Sequence, residues 1–374
     1  MIIEIQKLVI KEQLDHAVKG VSSKITIPIL GGVKFEVTDK GLTLTGSDTE
    51  TVIQMFIPSE QFKTIEKGSI VLEKGDLEKT IAKMPNEIIR IQTESNLNTI
   101  FSAKKAELQL MGMNATEYPD YSVDADDEQI IINGEVLKNL IKQTHFAASD
   151  KEDTPILKGT VISVNEGVIQ FLTCDRHRLA KVRENIETDV EKSMVVSTSC
   201  LINLSKIING KDEIAITAKS GAEGVTQVNF TSSDMMFVAR VLSGSYPDTS
   251  KLIPERFTEI FTINRVQLIS SLELAKITTD GGKTNVAKFQ FSKNELIVSS
   301  KNEKGQMKES LDVENLNGND FIFSANAEYI LSALKAVESE FVKINATGAM
   351  NPIVITPEED DNVLFLVLPY RTTN

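Results

Sequence analysis

The run from Thr173 to Ala180, TCDRHRLA, gathers a thiol, a carboxylate, an imidazole and two guanidinium groups in a chain that holds two cysteines and three histidines. Cys174 could act as a nucleophile with His177 as its base and Asp175 as the acid that orients the base. The spacing argues against this, because neighbouring side chains of an extended run point to opposite faces, and Cys174 and Asp175 would not converge on one substrate. So few histidines and cysteines give no metal site, and no cofactor is expected. A reading without chemistry pairs Arg178 with Asp175 at a strand end. The acidic runs DADDE at 124–128 and EEDDN at 358–362 could hold the magnesium of a polymerase or nuclease, but both read as solvated turns.

Elements must position these groups, and the chain is long enough for several. At 374 residues, 41% hydrophobic and 25% charged, it exceeds one ordinary core and has the balance of a soluble globular protein. Cys174 and Cys200 make no disulfide framework. The start, MIIEIQKLVI, lacks the pattern of a secretory signal, and no apolar run reaches the length of a membrane span, so a cytoplasmic location is expected. The net charge of −13, taken whole, argues against nucleic acid.

An internal repeat organises the chain. PILGGVKFEVTDKGLTLTGSD (28–48) and PILKGTVISVNEGVIQFLTCD (155–175) share their first and last residues at an offset of 127. Tyr118-Pro119-Asp120 recurs as Tyr246-Pro247-Asp248, and FEVTDKGLTLTGS from Phe35 returns more faintly as FQFSKNELIVSSK from Phe289. Three tandem units follow, at 1–125, 126–253 and 254–374. In each, one early helix is predicted from apolar spacing: Ile10, Leu14, Ala17 and Val18; Val136, Leu137, Leu140 and Ile141; Val266, Ile269, Leu272 and Leu274. A second helix opens near Asp76, Ser199 or Asn326, each a candidate N-cap. Alternating β-branched runs such as LTLTG, VIQFLT and LIVSS lie between, with turns at DKG, NEG and KNE. The fold class is therefore α+β, a two-helix and antiparallel-sheet module copied three times.

The repeat changes the reading of the charge. Helical windows at 10–24, 74–84, 135–146, 199–211, 264–276 and 326–337 carry thirteen of the 40 basic residues but seven of the 53 acidic ones. The helices are net positive and the remainder strongly negative. One reading is ordinary helix solvation; the other is a basic face that holds phosphates without reading bases. A carbohydrate- or peptide-binding repeat protein would share the triplication but would not require basic helices.

The three units, the P-I-L-x-G starts, SDTE and CDRHRLA, the YPD corners and the ending LVLPYR together resemble the bacterial DNA polymerase III beta subunit family, the replicative sliding clamps. The resemblance implies a non-catalytic processivity subunit with the DNA clamp fold. It also implies a head-to-tail homodimer ring around double-stranded DNA, bound without sequence specificity. Partners would be the replicative polymerase alpha-type subunit, the clamp loader and other clamp-motif proteins, with no membrane.

By the same resemblance, short partner motifs would enter a pocket between the second and third units. Its wall would be Leu157, Cys174, Arg176, His177, Arg178 and Leu179, joined by Pro247, Lys251 and Leu252. The third unit would add Asn326, Tyr329, Met350, Pro352 and the tail Leu366, Val367, Leu368, Pro369, Tyr370 and Arg371. Cys174 stands where the family commonly has threonine, and the chain runs on past Arg371 to Asn374. DNA contacts would fall to Lys24 and Lys151 in loops and to Lys11, Lys138, Lys142, Lys206, Lys211 and Lys276 from the helical windows. At the subunit seam the resemblance places Leu108 and Leu110 on one edge and Ile277 on the other.

Overall fold

The computed structural model describes residues 1–21, 27–121, 128–222, 224–279, 285–303, 305–317 and 319–371. The first module comprises β1 (Ile2–Gln6), α1 (Lys7–Ala17), β2 (Gly32–Val37), β3 (Gly41–Ser47), β4 (Thr51–Pro58), β5 (Phe62–Glu66), β6 (Gly68–Glu73), α2 (Lys74–Lys83), β7 (Ile88–Thr93), β8 (Asn98–Ala103) and β9 (Ala106–Met111). The second comprises β10 (Gln129–Asn133), α3 (Gly134–Thr144), β11 (Gly159–Asn165), β12 (Val168–Cys174), β13 (Arg178–Asn185), β14 (Lys192–Ser197), α4 (Thr198–Ser205), β15 (Glu213–Gly221), β16 (Gly224–Thr231) and β17 (Met235–Arg240). The third comprises β18 (Glu259–Asn264), α5 (Arg265–Thr279), β19 (Val286–Ser292), β20 (Glu295–Asn302), β21 (Gly305–Asn317), β22 (Phe321–Asn326), α6 (Ala327–Ala336), β23 (Phe341–Ala346), β24 (Ile353–Pro357) and β25 (Val363–Val367). The predicted order of elements recurs in all three.

Residue contacts divide the chain into two compact units, Met1–Gly134 with Asn203–Val241, and Glu135–Ile202 with Leu242–Asn374. The first holds a five-stranded sheet, β5-β1-β7-β8-β9, and an eight-stranded one, β10-β15-β16-β17-β4-β3-β2-β6. The second holds a twelve-stranded sheet, β14-β11-β12-β13-β25-β24-β23-β18-β21-β20-β19-β22. The middle module is thus shared between the units, while the boundary expected near residue 125 lies outside the described residues. Its strands continue its neighbours' sheets, β17 pairing antiparallel with β4 and β13 with β25.

The strand register carries the repeat into three dimensions. Each module's central hairpin closes on an equivalent pair, Ser47 opposite Val52, Cys174 opposite Leu179 and Lys301 opposite Gln306, each spaced 127 from the last. Beside the third hairpin, inward positions of β18, β19 and β22 build an aromatic cluster. In the third module Phe261 stacks on Phe291 at 4.2 Å and Phe289 on Phe323 at 4.7 Å between centroids, separations at which aromatic pairs add to plain burial.

Helix faces agree with the periodicity in part. Ile10, Leu14, Ala17 and Val18 are buried, as are Leu137, Leu140 and Ile141, with Val136 half-buried. In α5 the buried stripe is Leu268, Ser271, Leu272, Ala275 and Thr279, which leaves Val266 and Leu274 exposed. This helix is apolar on two sides, so spacing alone could not choose between them. Asn326 caps α6 by accepting from the Glu328 amide at 2.9 Å, as expected. At α2 the cap is Glu73, whose carboxylate takes the amides of Gly75 and Asp76 at 2.9 and 2.8 Å; Asp76 lies inside the first turn. Ser199 likewise falls inside α4, and that helix ends at Ser205, so Lys206 and Lys211 lie beyond it. Where α1 meets β3 the backbones nearly touch: a Cβ on Gly46 would sit 2.1 Å from the Ala17 carbonyl oxygen.

Candidate functional site

The turn between β12 and β13 is held by one carboxylate. Asp175 accepts from the amides of His177 and Arg178 at 2.9 and 3.0 Å through one oxygen, and from Arg178 Nε at 2.8 Å through the other. Both partners of that ion pair are largely buried, so it is of the charge-assisted kind that fixes geometry. Arg176, within the turn, takes a left-handed backbone at φ 78°, and Thr49 does the same at φ 80° in the equivalent turn of the first module.

Arg178 gathers the surrounding aromatic rings. Its guanidinium lies 4.5 Å from the centroid of Tyr329 and 5.8 Å from that of Phe146, a cation–π arrangement on each. Tyr329 also stacks on His177 at 6.3 Å with the rings 21° apart. Burial raises the Tyr329 hydroxyl's pKa. His177 is fixed on the other side by its carbonyl, which accepts from the Leu368 amide at 2.8 Å.

Cys174 ends β12 beneath this turn. It is buried with Leu157, Leu172, Leu179, Val354 and Leu366. Burial pushes its thiol pKa up, which disfavours the thiolate that a nucleophile needs. Its amide donates to the Tyr246 hydroxyl at 2.9 Å, and that hydroxyl lies 3.3 Å from the Gly159 carbonyl, its acceptor. With Asp175 committed to Arg178 and the turn amides, the three groups do not form a nucleophile–base–acid chain. The ion pair at a strand end, the reading without chemistry, is what the structure contains.

Over this floor opens a cavity of about 110 Å³ lined by Leu157, Cys174, Arg176, His177, Arg178, Leu179, Pro247, Thr249, Leu252, Leu366 and Leu368. Tyr329 borders it through His177 and Arg178. Met350 and Tyr370, about half exposed, line a separate and larger groove. Asn326 is occupied as the α6 cap; Lys251 and Arg371 are exposed, and Pro352 and Pro369 half-buried, outside the cavity lining. Val367 is buried within the sheet opposite Arg178 and Ile353. Sequence reasoning missed Thr249, Phe146 and Tyr246; the repeated YPD corner was the signal that could have found Tyr246.

Among the lysines expected to meet DNA, Lys24 lies outside the described residues. Lys11 pairs with Asp15, Lys142 with Glu338 at 2.6 Å and Lys276 with Glu328 at 2.5 Å. Such exposed pairs are screened by solvent and contribute little, so they dilute positive charge without locking the side chains in place. Lys138, Lys151, Lys206 and Lys211 have no carboxylate within ion-pair distance among the described residues. At the expected seam, Leu108 and Ile277 are 40% and 69% exposed, and Leu110 is half-buried. Leu108 and Leu110 lie on β9, which ends its sheet. No group of three or more potential metal ligands occurs among the described residues, nor is any helix long and apolar enough to cross a membrane.

Comparison with known proteins matches the chain in three parts. The family models for the N-terminal, central and C-terminal domains of the DNA polymerase III beta subunit match residues 1–122, 131–248 and 250–371. The beta sliding clamp of Bacillus subtilis (strain 168) is 35% identical over 380 residues, covering 98% of this chain and 99% of that one. Staphylococcus aureus beta sliding clamps are 32% identical over 368 residues, covering 96% of each chain. Among solved structures, the Bacillus subtilis DNA polymerase sliding clamp superposes with a TM-score of 0.95 at 32% identity, and the Streptococcus pyogenes beta subunit with 0.94 at 27%, each over 100% of both chains. By this likeness along nearly its whole length, and by the fold described above, the chain belongs to the bacterial DNA polymerase III beta subunit family, the beta sliding clamps.

Proposed function

We propose that two copies of the chain close head to tail into a ring around duplex DNA, and that the Cys174–Arg178 cavity docks short apolar motifs of the proteins the ring serves. As a family member the chain is a processivity factor rather than an enzyme. The observation that carries the ring reading is the repeated joint. The last strand of one module pairs with the hairpin strand of another twice, β17 with β4 and β25 with β13. The corresponding last strand of the first module, β9, pairs only with β8 among the described residues, and the stretch of β21 from Gln306, equivalent to Val52 and Leu179, pairs on one side only with β20. Two unmatched edges of one joint are complementary in kind, and open edges invite strand addition. A second copy supplies each with its partner, through a heterologous contact that closes because it is used twice.

Within the ring, duplex would be held by charge and enclosure. Lys138, Lys151, Lys206 and Lys211 supply unneutralised cations, and phosphate contacts position without reading sequence. The cavity offers leucine side chains as an apolar anchor, with Arg176 and Arg178 at its rim, the composition of a small recognition pocket. Its occupants would be the replicative polymerase alpha-type subunit, the clamp loader and repair proteins.

The test is Leu108→Asp combined with Leu110→Asp, read by light scattering and by primer extension with loader and polymerase. The reading expects a folded monomer and loss of long products; a dimer of unchanged processivity would overturn it.

A further inference from the structure

A second depression opens beside the docking cavity. It encloses about 1070 Å³ over the solvent-exposed face of the β22-β19-β20-β21 part of the sheet. Lys288, Lys301 and Lys308 line it, with Met350 and Tyr370 at one end, and no acidic residue contributes. Lys288 stands opposite Ser299, which stands opposite Lys308, so two ammonium groups rise from one row two strands apart. At ordinary strand spacing that is about 9.5 Å, with Lys301 about 7 Å along the neighbouring strand on the same face. None of the three has a carboxylate within ion-pair distance among the described residues. In a chain of net charge −13, such an acid-free concavity is a departure that stability does not require.

The C-terminal segment runs from the cavity to the groove. Leu368 lines the cavity and its amide is bound by His177; two residues on, Tyr370 lines the groove and its amide is bound by the Ser324 carbonyl at 2.6 Å. We propose that the groove binds an acidic segment of a docking partner, adjoining the apolar motif that fills the cavity. The inference rests on the cavity being a motif site and adds a charge requirement to it. An extended peptide places alternate side chains about 7 Å apart on one face, which suits the lysine spacing. Ile322, Met350 and Tyr370 offer apolar surface between the charges, a mixed lining that suits a peptide better than a phosphate backbone.

The test uses the full-length clamp and the clamp-binding segment of the same bacterium's replicative polymerase, synthesised plain and with four aspartates or four asparagines appended at either end. Fluorescence anisotropy at low and at roughly physiological salt compares wild type with the Lys288→Gln, Lys301→Gln variant, whose exposed positions spare both the core and the β21 edge assigned to the second copy. The inference expects one aspartate-tailed peptide to bind about tenfold tighter than its asparagine twin at low salt. That gap should close in the variant, with the plain peptide's affinity unchanged. Equal affinities of the twins, or a gap the variant keeps, would overturn it. A plain peptide that fails to bind wild type would overturn the cavity reading instead; an aspartate-rich peptide without the motif then reads the groove, supporting the inference if its binding is lost in the variant and refuting it if none is seen. A single-stranded oligonucleotide that binds wild type, fails on the variant and is not displaced by the aspartate-rich peptide would assign the lysines to nucleic acid and refute the peptide occupant.

Discussion

Tyr246→Phe should loosen the floor of the cavity by an amount the structure sets. The hydroxyl accepts the Cys174 amide at 2.9 Å and lies 3.3 Å from the Gly159 carbonyl, so it ties the end of β12 to the start of β11. Removing it leaves the Cys174 amide without this partner while the ring stays in place. Losing one good bond to a largely desolvated donor costs about 1–3 kcal/mol, and the longer contact adds little. Taking about 1.5 kcal/mol as a local destabilisation, and 1.4 kcal/mol per tenfold, exchange of the Cys174 amide should accelerate about tenfold. Hydrogen exchange with mass spectrometry across residues 168–180 reads this, and Tyr370→Phe, at a half-exposed ring, is the control that should change nothing. Exchange of the Cys174 segment within twofold of wild type, or equal acceleration in the control, would refute the claim that the YPD tyrosine holds this strand end.

Arg176 occupies a left-handed conformation that costs a side-chain-bearing residue about 1–2 kcal/mol, partly offset by the greater unfolded-state entropy of glycine. Its ion pair with Asp153 at 3.7 Å is exposed and worth little. Arg176→Gly should therefore raise the urea midpoint of unfolding by about 0.5 kcal/mol equivalent, and a loss of 1 kcal/mol or more would contradict the strain argument. His16 is held neutral by burial, its pKa below the usual 6.5, with Lys19 close by pushing the same way against Glu12, Asp15 and Asp234. Because the unfolded imidazole protonates first, stability should fall as pH drops below about 6.5 and level off once the folded imidazole also titrates. His16→Gln should flatten that part of the urea-midpoint profile, and an unaltered slope would refute the assignment.

Much of the fold was legible because the chain repeats itself. Pro28 and Pro155, and Asp48 and Asp175, fixed the period at 127, with Tyr118 and Tyr246 one residue longer at 128, and the structure places the hairpin pairs at the 127 offset. The helix windows were legible where one face alone is apolar, as at Ile10, Leu14 and Ala17. At α5 the second apolar side hid the choice of face, since Val266 and Leu274 satisfy helical spacing as well as Leu268 and Leu272 do. Caps misled at α2 because Glu73 reaches over two amides from outside the helix, which no preference for short polar side chains anticipates. The cavity residues were legible from the motifs, but the partners that hold them were not. Tyr329 under Arg178, and Glu338 and Glu328 on Lys142 and Lys276, come from distant sequence, and long-range ion pairing leaves no local pattern.

The central claim is that enclosure, rather than contact, keeps the protein on DNA. The most direct measurement loads it onto nicked circular duplex with its loader at physiological salt, removes the loader, and follows the protein bound before and after a single linearising cut. The account predicts stable retention on the circle and rapid loss once ends are available, restored when both ends are blocked. Equal retention on linear duplex with free ends, or loss from the uncut circle at the same rate, would contradict it.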